Sequence, residues 1–382
     1  MTSLVLDARW LNTGIGTYTS NLLREYRSSG LQFSLLTQSQ HAKSLASLSD
    51  DVKVVNAGMY SLREQFEVPW VTRSDKVLHV MHYNAPLARS GTMLVTILDL
   101  THILDRTLRG TWKSIVYARP MLKSVAHRAT HLFTISEYSR QKIVEHLGVS
   151  PDKITVAYLG VSAAFFPESR SKARDHIAKL CGFDGPYLLF VGSLKPHKNV
   201  GGLIRAYALL DQTQHLGRKL LIVGSGEPGL SDLRKCAAQA KVADKVIVRD
   251  KLSIADLRMA YSGADLTILP SFEEGFGLPV LESMACGTPV ACSQTASLPE
   301  VGGDAAVYFD PTDTDSIASA LQGLLQSEEK WILHQALGFS NIRRFSWSNC
   351  AELHMEVYRR YLPASCFRTI SAQFVREQQS SL

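Results

Sequence analysis

Glu274 and Glu282 bracket Gly-Phe-Gly-Leu-Pro-Val-Leu within the stretch Pro270 to Val290, which reads PSFEEGFGLPVLESMACGTPV. Ahead of it the apolar run Leu266 to Leu269 predicts a buried strand. Behind it Cys286-Gly287 predicts a helix stop, since glycine commonly follows the last apolar turn. The unit is therefore strand, glycine loop and short helix. Gly275 and Gly277 open backbone conformations that other residues avoid and let a ligand come close. Pro279 suits the first turn of a helix, where the unpaired amides and the helix dipole attract an anion. Carboxylates repel phosphate but accept hydrogen bonds from hydroxyls. A ligand with both phosphate and many hydroxyls satisfies both halves, and a nucleotide sugar is one. The plainer alternative is a solvated acid and an ordinary helix glutamate.

Other loops repeat the anion theme. Gly192-Ser193-Leu194-Lys195-Pro196-His197-Lys198-Asn199 follows the predicted strand Tyr187 to Val191 and enters a predicted helix, Val200 to Leu210, so two lysines and a histidine crowd a helix entrance. Gly14-Ile15-Gly16 lies between the predicted strand Leu4 to Leu6 and the predicted helix Tyr18 to Tyr26, as a phosphate-approach loop or a tight turn. Gly224-Ser225-Gly226-Glu227-Pro228-Gly229 is a literal G-x-G-x-x-G. Taken alone it suggests a nicotinamide or flavin, but it comes in mid-chain with no evident partner domain for a hydride acceptor. Asp99 and Ser136 each follow a predicted strand, Met93 to Ile97 and His131 to Ile135. Asp99 either binds hydroxyls or caps a turn, and Ser136 is expected as a helix cap.

Glu274 to Glu282 with the flanking P-S and M-A-C-G-T-P-V, followed by Ser297-Leu298-Pro299-Glu300-Val301, resembles the signature of retaining glycosyltransferase family 4. That resemblance implies the GT-B fold, an α/β architecture of two Rossmann-like βαβ domains facing a central cleft. It implies that Glu282 binds the nucleotide ribose, and that Glu274 and the amides of Gly275, Phe276, Gly277 and Leu278 face the donor sugar and diphosphate. Gly16, Gly224, Gly226 and Leu252 are carried over as further donor contacts. Lys198 matches one half of the family's basic pair, while His197 stands where arginine is usual. Histidine is charged only part of the time near neutrality, so Lys198 is expected to carry most of the leaving-group charge. Asp99 resembles the second member of a His-Asp pair whose histidine is Leu98 here. The expected catalytic set is Glu274, Lys198 and Asp99. The surrounding pattern is similar to members that use GDP-mannose in bacterial polysaccharide synthesis. No Asp-x-Asp pair is placed at a strand end, so neither a metal nor another cofactor is expected.

The elements that must position these residues are legible as strand-like runs alternating with helical material, the pattern of a parallel sheet covered on both faces. At 382 residues the chain suits two domains. They are expected at 1-165 (acceptor side) and 166-346 (nucleotide sugar), with 347-382 as a terminal helix crossing back to the first domain plus a tail. A net charge of +6 suits anionic substrates but is too weak for nucleic acid. Between Arg106 and Arg128 six basic residues and no acid interleave with Trp112, Tyr117, Met121 and Leu122. That mixture suggests a peripheral contact with an anionic membrane at the inner face of the plasma membrane, or else a solvated face. Scattered cysteines and the lack of a basic then apolar leader lead to the expectation of a cytoplasmic protein. The expected function is transfer of a hexose, mannose, from a nucleoside diphosphate sugar to a glycan or lipid-linked hydroxyl. A nucleotide-sugar epimerase or hydrolase of the same fold and a non-catalytic nucleotide-sugar-binding protein are the alternatives.

Overall fold

The computed structural model describes residues 3–11, 15–49, 51–101, 112–214, 217–226 and 229–367. Contacts divide the chain into two compact units. The first takes in the chain to Leu100, the stretch ending at Gly160 and the return from Trp347, and the second contains Val161–Ser346. Phe165 lies in the second unit, edge-on to Tyr261.

In the first unit the strands are β1 (Leu4–Asp7), β2 (Ser34–Gln38), β3 (Val52–Val55), β4 (Val77–Val80), β5 (Thr92–Thr96), β6 (His131–Thr134) and β7 (Ile154–Val156). Among the described residues they form one parallel sheet, in the order β3-β2-β1-β4-β5-β6-β7. All four residues of β1, β4 and β6 are buried. Strands covered on both faces read as largely apolar runs, which is why they are visible in the sequence.

The second unit repeats the plan with β8 (Tyr187–Val191), β9 (Lys219–Val223), β10 (Val246–Arg249), β11 (Leu266–Leu269), β12 (Val290–Ser293) and β13 (Ala306–Phe309), ordered β10-β9-β8-β11-β12-β13. In each sheet the order reverses beside the first strand, between β1 and β4 and between β8 and β11. Loops at the carboxyl ends of such strands diverge and leave a crevice there.

Several boundaries differ from the sequence expectation. The first helix is Ile15–Ser28, so Gly16 lies in its opening turn rather than in a loop before it. The helix after β8 runs Val200–Gln214, one turn past Leu210. The terminal helix is Trp347–Tyr358, so most of the segment from 347 to 382 lies beyond it. Ser136 is a helix cap as expected, its hydroxyl accepting the Ser139 N–H at 3.0 Å.

The terminal helix is locked to the first sheet by a buried polar chain. His354 Nδ1 bonds the Cys350 carbonyl at 2.7 Å, so that nitrogen donates. His354 Nε2 must then accept from Tyr18, Tyr18 from Thr96, and Thr96 from His79 Nε2. His79 Nδ1 is left to accept from Tyr358, which accepts from Tyr26. One carbonyl thus orders every proton, and both imidazoles are neutral. Burial pushes His354 down to about 4 and His79 down as well.

Candidate active site

The organising loop lies where the sequence puts it. After β11 the chain passes through Ser271–Gly277 into the helix Leu278–Ala285, with Pro279 in its first turn. Gly277 has φ +103, and a Cβ there would sit 2.8 Å from Leu298 Cδ2. Ser297 holds the loop from the next helix, its hydroxyl 2.9 Å from the carbonyl oxygens of both Glu274 and Phe276. In a trans peptide the N–H points opposite to the C=O, so the amides of Gly275 and Gly277 point away from Ser297. The Phe276 ring is buried edge-on against Phe345, which leaves only its backbone to meet a ligand.

Across the crevice, Pro196–Lys198 form a single turn of 3-10 helix, closed by Asn199 in the left-handed region at φ 51. Asn199 Nδ2 donates to the Pro311 carbonyl at 2.7 Å and fixes the turn. Two links join this loop to the glycine loop. The Phe272 N–H donates to the His197 carbonyl at 2.8 Å, and Lys198 Nζ pairs with Glu274 Oε1 at 2.5 Å. The Ser271 hydroxyl donates to the same Oε1 at 3.1 Å. Lys198 and Glu274 are both largely withdrawn from solvent. A cation and a carboxylate are thus held together between two loops, with His197 buried beside them. The pairing is not visible in the sequence, where the two residues belong to separate motifs.

Glu282 occupies the inner side of the helix, where the Tyr261 hydroxyl donates to Oε2 at 2.8 Å. Although the residue keeps some exposed surface, desolvation of its carboxyl pushes the pKa up to about 7, with the Tyr261 bond opposing. Oε1 has no protein partner among the described residues. Leu252 packs on the cluster that contains Tyr261. Gly224 permits a close crossing, since a Cβ there would meet the Gly192 carbonyl oxygen at 2.0 Å. Gly226 has φ +130, and the Leu194 N–H donates to the Ser225 carbonyl, so this turn flanks the Lys198 loop. The second unit therefore brings together His197, Lys198, Gly224, Gly226, Glu274 to Leu278 and, below them, Glu282 and Leu252.

Gly16 and Asp99 belong to the first unit. A Cβ on Gly16 would meet the Leu11 carbonyl oxygen at 1.9 Å, so the helix start and the β1 loop are in direct backbone contact. Gly14 falls outside the described residues. Asp99 follows β5, and its charge adds to burial in pushing the Tyr83 phenol up. Beside β1, a network absent from the sequence reading binds Arg9 to Asp7 at 2.6 Å and to Glu64 at 2.7 Å, all fully buried.

The basic stretch gives a partial correction. Arg106 and Arg109 lie outside the described residues. In the helix Trp112–Arg128, Met121 and Leu122 are buried in the core, while Arg119 and Lys123 are exposed. These two apolar side chains face inward and offer nothing to a membrane.

Comparisons with known proteins bear on the family and the fold. Residues 175–337 match the family model for glycosyl transferases group 1, and residues 13–160 match that for the glycosyl transferase 4-like domain. The O-antigen chain mannosyltransferase B of Escherichia coli is 30% identical over 331 residues, 84% of this chain and 84% of that protein. The O-antigen chain mannosyltransferase RfbU of Salmonella typhimurium is 28% identical, over 66% of this chain and 65% of that one. A crystal structure of Anabaena HepE in complex with UDP and glucose superposes with a TM-score of 0.75 at 15% identity, covering 94% of this chain and 100% of that one. The chain belongs to the group 1 glycosyltransferases, the retaining family-4 class, and it has the two Rossmann-like domains of the GT-B fold.

Proposed function

We propose that the protein transfers mannose from GDP-mannose to a hydroxyl of a glycan or lipid-linked acceptor with retention of configuration, in polysaccharide or glycolipid synthesis. The single observation that carries this reading is the Lys198–Glu274 pair, held between loops at the switch point of the second sheet. Lys198 and the amides of the glycine loop neutralise the departing diphosphate, and Glu282 Oε1 accepts from the ribose. Glu274 already accepts from Lys198 and Ser271, so it is an oriented acceptor for sugar hydroxyls rather than a bare nucleophile. In this reading the leaving phosphate takes the acceptor proton on the same face. Mannose as the donor sugar is supported by the names of the relatives. Asp99, in the first unit, is assigned to hydroxyls of the acceptor.

No metal or other cofactor takes part in this scheme. The charge a metal would supply comes from Lys198 and backbone amides. Because the acceptor includes a lipid-linked class, the protein works in peripheral contact with the inner face of the plasma membrane.

A thermal-shift series with GDP-mannose, UDP-glucose and a dTDP-sugar tests the donor. A donor present at about a hundred times its Kd stabilises by about 2.7 kcal/mol. GDP-mannose is expected to give the largest shift, and the product of transfer to carry an α-mannosyl linkage by NMR. A larger shift with a UDP-sugar overturns the donor, donor consumption without acceptor points to a hydrolase, and loss of transfer in chelator overturns the metal-free scheme.

A further inference from the structure

The helix Glu64–Val71 and the turn before it carry an apolar face that the described residues leave uncovered. Leu62, Phe66 and Trp70 recur at intervals of four residues and are 79%, 71% and 65% exposed. The opposite face, Glu64 and Val68, is buried. This orientation is enforced. Glu64 pairs with buried Arg9, accepts the Tyr60 N–H at 2.8 Å and accepts from Asn84 Nδ2 at 2.8 Å. Rolling the helix to bury Phe66 and Trp70 would break all three contacts and leave buried Arg9 with Asp7 as its remaining ion-pair partner.

The exposed charge around this face is mostly basic, with Arg63 paired to Glu67 at 2.8 Å. Arg63, Arg73 and Lys76 are exposed. The acids of the same stretch are withdrawn, with Glu64 buried, the Glu67 side chain 16% exposed and that of Asp75 only 2%. Arg73 stacks over the Trp70 ring at 4.3 Å and donates to the Trp70 carbonyl at 2.7 Å. An aromatic body with a cation stacked on it is suited to the boundary between acyl chains and headgroups, where apolar surface is buried and the charge meets phosphate. A groove for another protein needs no such bias, whereas an anionic lipid surface matches both the apolar stripe and the surrounding cations.

We infer that Leu62, Phe66 and Trp70, framed by Arg63, Arg73 and Lys76, are the surface by which this protein docks on an anionic bilayer. The inference rests on the peripheral contact proposed above, and it assigns that contact to this helix rather than to the basic stretch that ends at Arg128. Docking here leaves the donor site in the second unit unchanged and raises the local concentration of a lipid-linked acceptor.

The test uses full-length protein and vesicles of phosphatidylglycerol with phosphatidylcholine, against phosphatidylcholine alone. Sedimentation is expected with the anionic vesicles. L62S/F66S/W70S lowers partition roughly a hundredfold, since three large apolar side chains no longer enter the interface. R73Q/K76Q lowers it about fivefold per charge, an effect that disappears at high salt. Trp fluorescence is quenched by acyl-brominated lipid, and W70F, which still binds, loses that quenching. The substituted side chains are exposed, so the melting temperature and transfer to a soluble acceptor stay at wild-type values. Failure of the wild type to bind any vesicle overturns both this assignment and the peripheral contact. Equal binding by wild type and L62S/F66S/W70S overturns the assignment alone. A wild-type dimer that L62S/F66S/W70S converts to monomer, with no vesicle binding, makes the face a contact between copies instead.

Discussion

Replacing Lys198 by alanine tests the centre of the proposed chemistry, and the structure sets the size of the effect. Lys198 Nζ lies 2.5 Å from Glu274 Oε1, and both side chains are more than four-fifths removed from water. At such a site two unit charges about 4 Å apart interact by about 4 kcal/mol with an effective dielectric near 20. Lys198 at that distance from a phosphate oxygen of the departing diphosphate therefore accounts for about a thousandfold in the transfer step. The substitution also strips Glu274 of its counter-charge, leaving only the Ser271 hydroxyl on that oxygen. An unpaired carboxylate then faces the diphosphate and adds to the loss, so donor affinity falls together with turnover. Single-turnover transfer at saturating donor, with donor Kd measured separately, resolves the two. Lys198→Ala is expected to lower the transfer rate by about a thousandfold. In the double variant with Glu274→Gln, donor affinity recovers because the uncompensated charge is gone, while turnover does not, because glutamine cannot replace the cation. A Lys198→Ala enzyme within about threefold of wild type, folded and saturated with donor, refutes the assignment of Lys198 as the leaving-group cation.

Three further outcomes follow from the geometry. Glu282 has its carboxyl pKa pushed up to about 7, and hydroxyl donors favour its charged form. Donor binding should release a proton below that pH and weaken about tenfold on going from pH 8 to pH 6, measurable by calorimetry in buffers of different ionisation enthalpy. Pairing the affinity with Glu282→Gln should flatten the profile. Gly277→Ala places a Cβ at φ +103 near a movable leucine tip, and should cost about 1 to 3 kcal/mol of stability and weaken donor binding. Gly224→Ala is harsher, since its Cβ meets the Gly192 backbone oxygen, and should show the larger fall in melting temperature. His354 is held neutral with its pKa pushed down to about 4, against about 6.5 in the unfolded chain. Below pH 6.5 the unfolded state takes up the proton first. The stability of the first unit is therefore complete above that pH and lost as pH falls toward 4, by about 2 kcal/mol at pH 5. His354→Gln should reduce this slope in the pH dependence of the melting temperature, leaving the share of His79, which burial also pushes down, and an unaltered slope would show that His354 does not titrate there.

Local composition determined much of this protein. Largely apolar runs at β1, β4, β8 and β11 announce strands buried on both faces, because a two-sided burial leaves little room for alternation. The glycines of the loop ahead of Leu278 and the proline after it announce a left-handed turn and a helix start, because only glycine adopts φ +103 without strain. Burial of Met121 and Leu122 beneath exposed Arg119 and Lys123 was not legible, since a basic helix with interleaved apolar residues has the same sequence whether its apolar face meets lipid or core. The contacts that make the site also come from afar. Lys198 meets Glu274, Ser297 meets the carbonyls of Glu274 and Phe276, and Tyr261 meets Glu282, each pair joined only when the parallel sheet brings separate loops or helices together. The same holds for the chain from Tyr26 to His354 and for the outward turn of Phe66 and Trp70, which Glu64 of the same helix imposes by pairing with buried Arg9 just after β1. Periodicity and turn chemistry act between near neighbours and can be read along the chain, whereas charge pairing, desolvation and the rotational setting of a helix depend on what the fold places opposite.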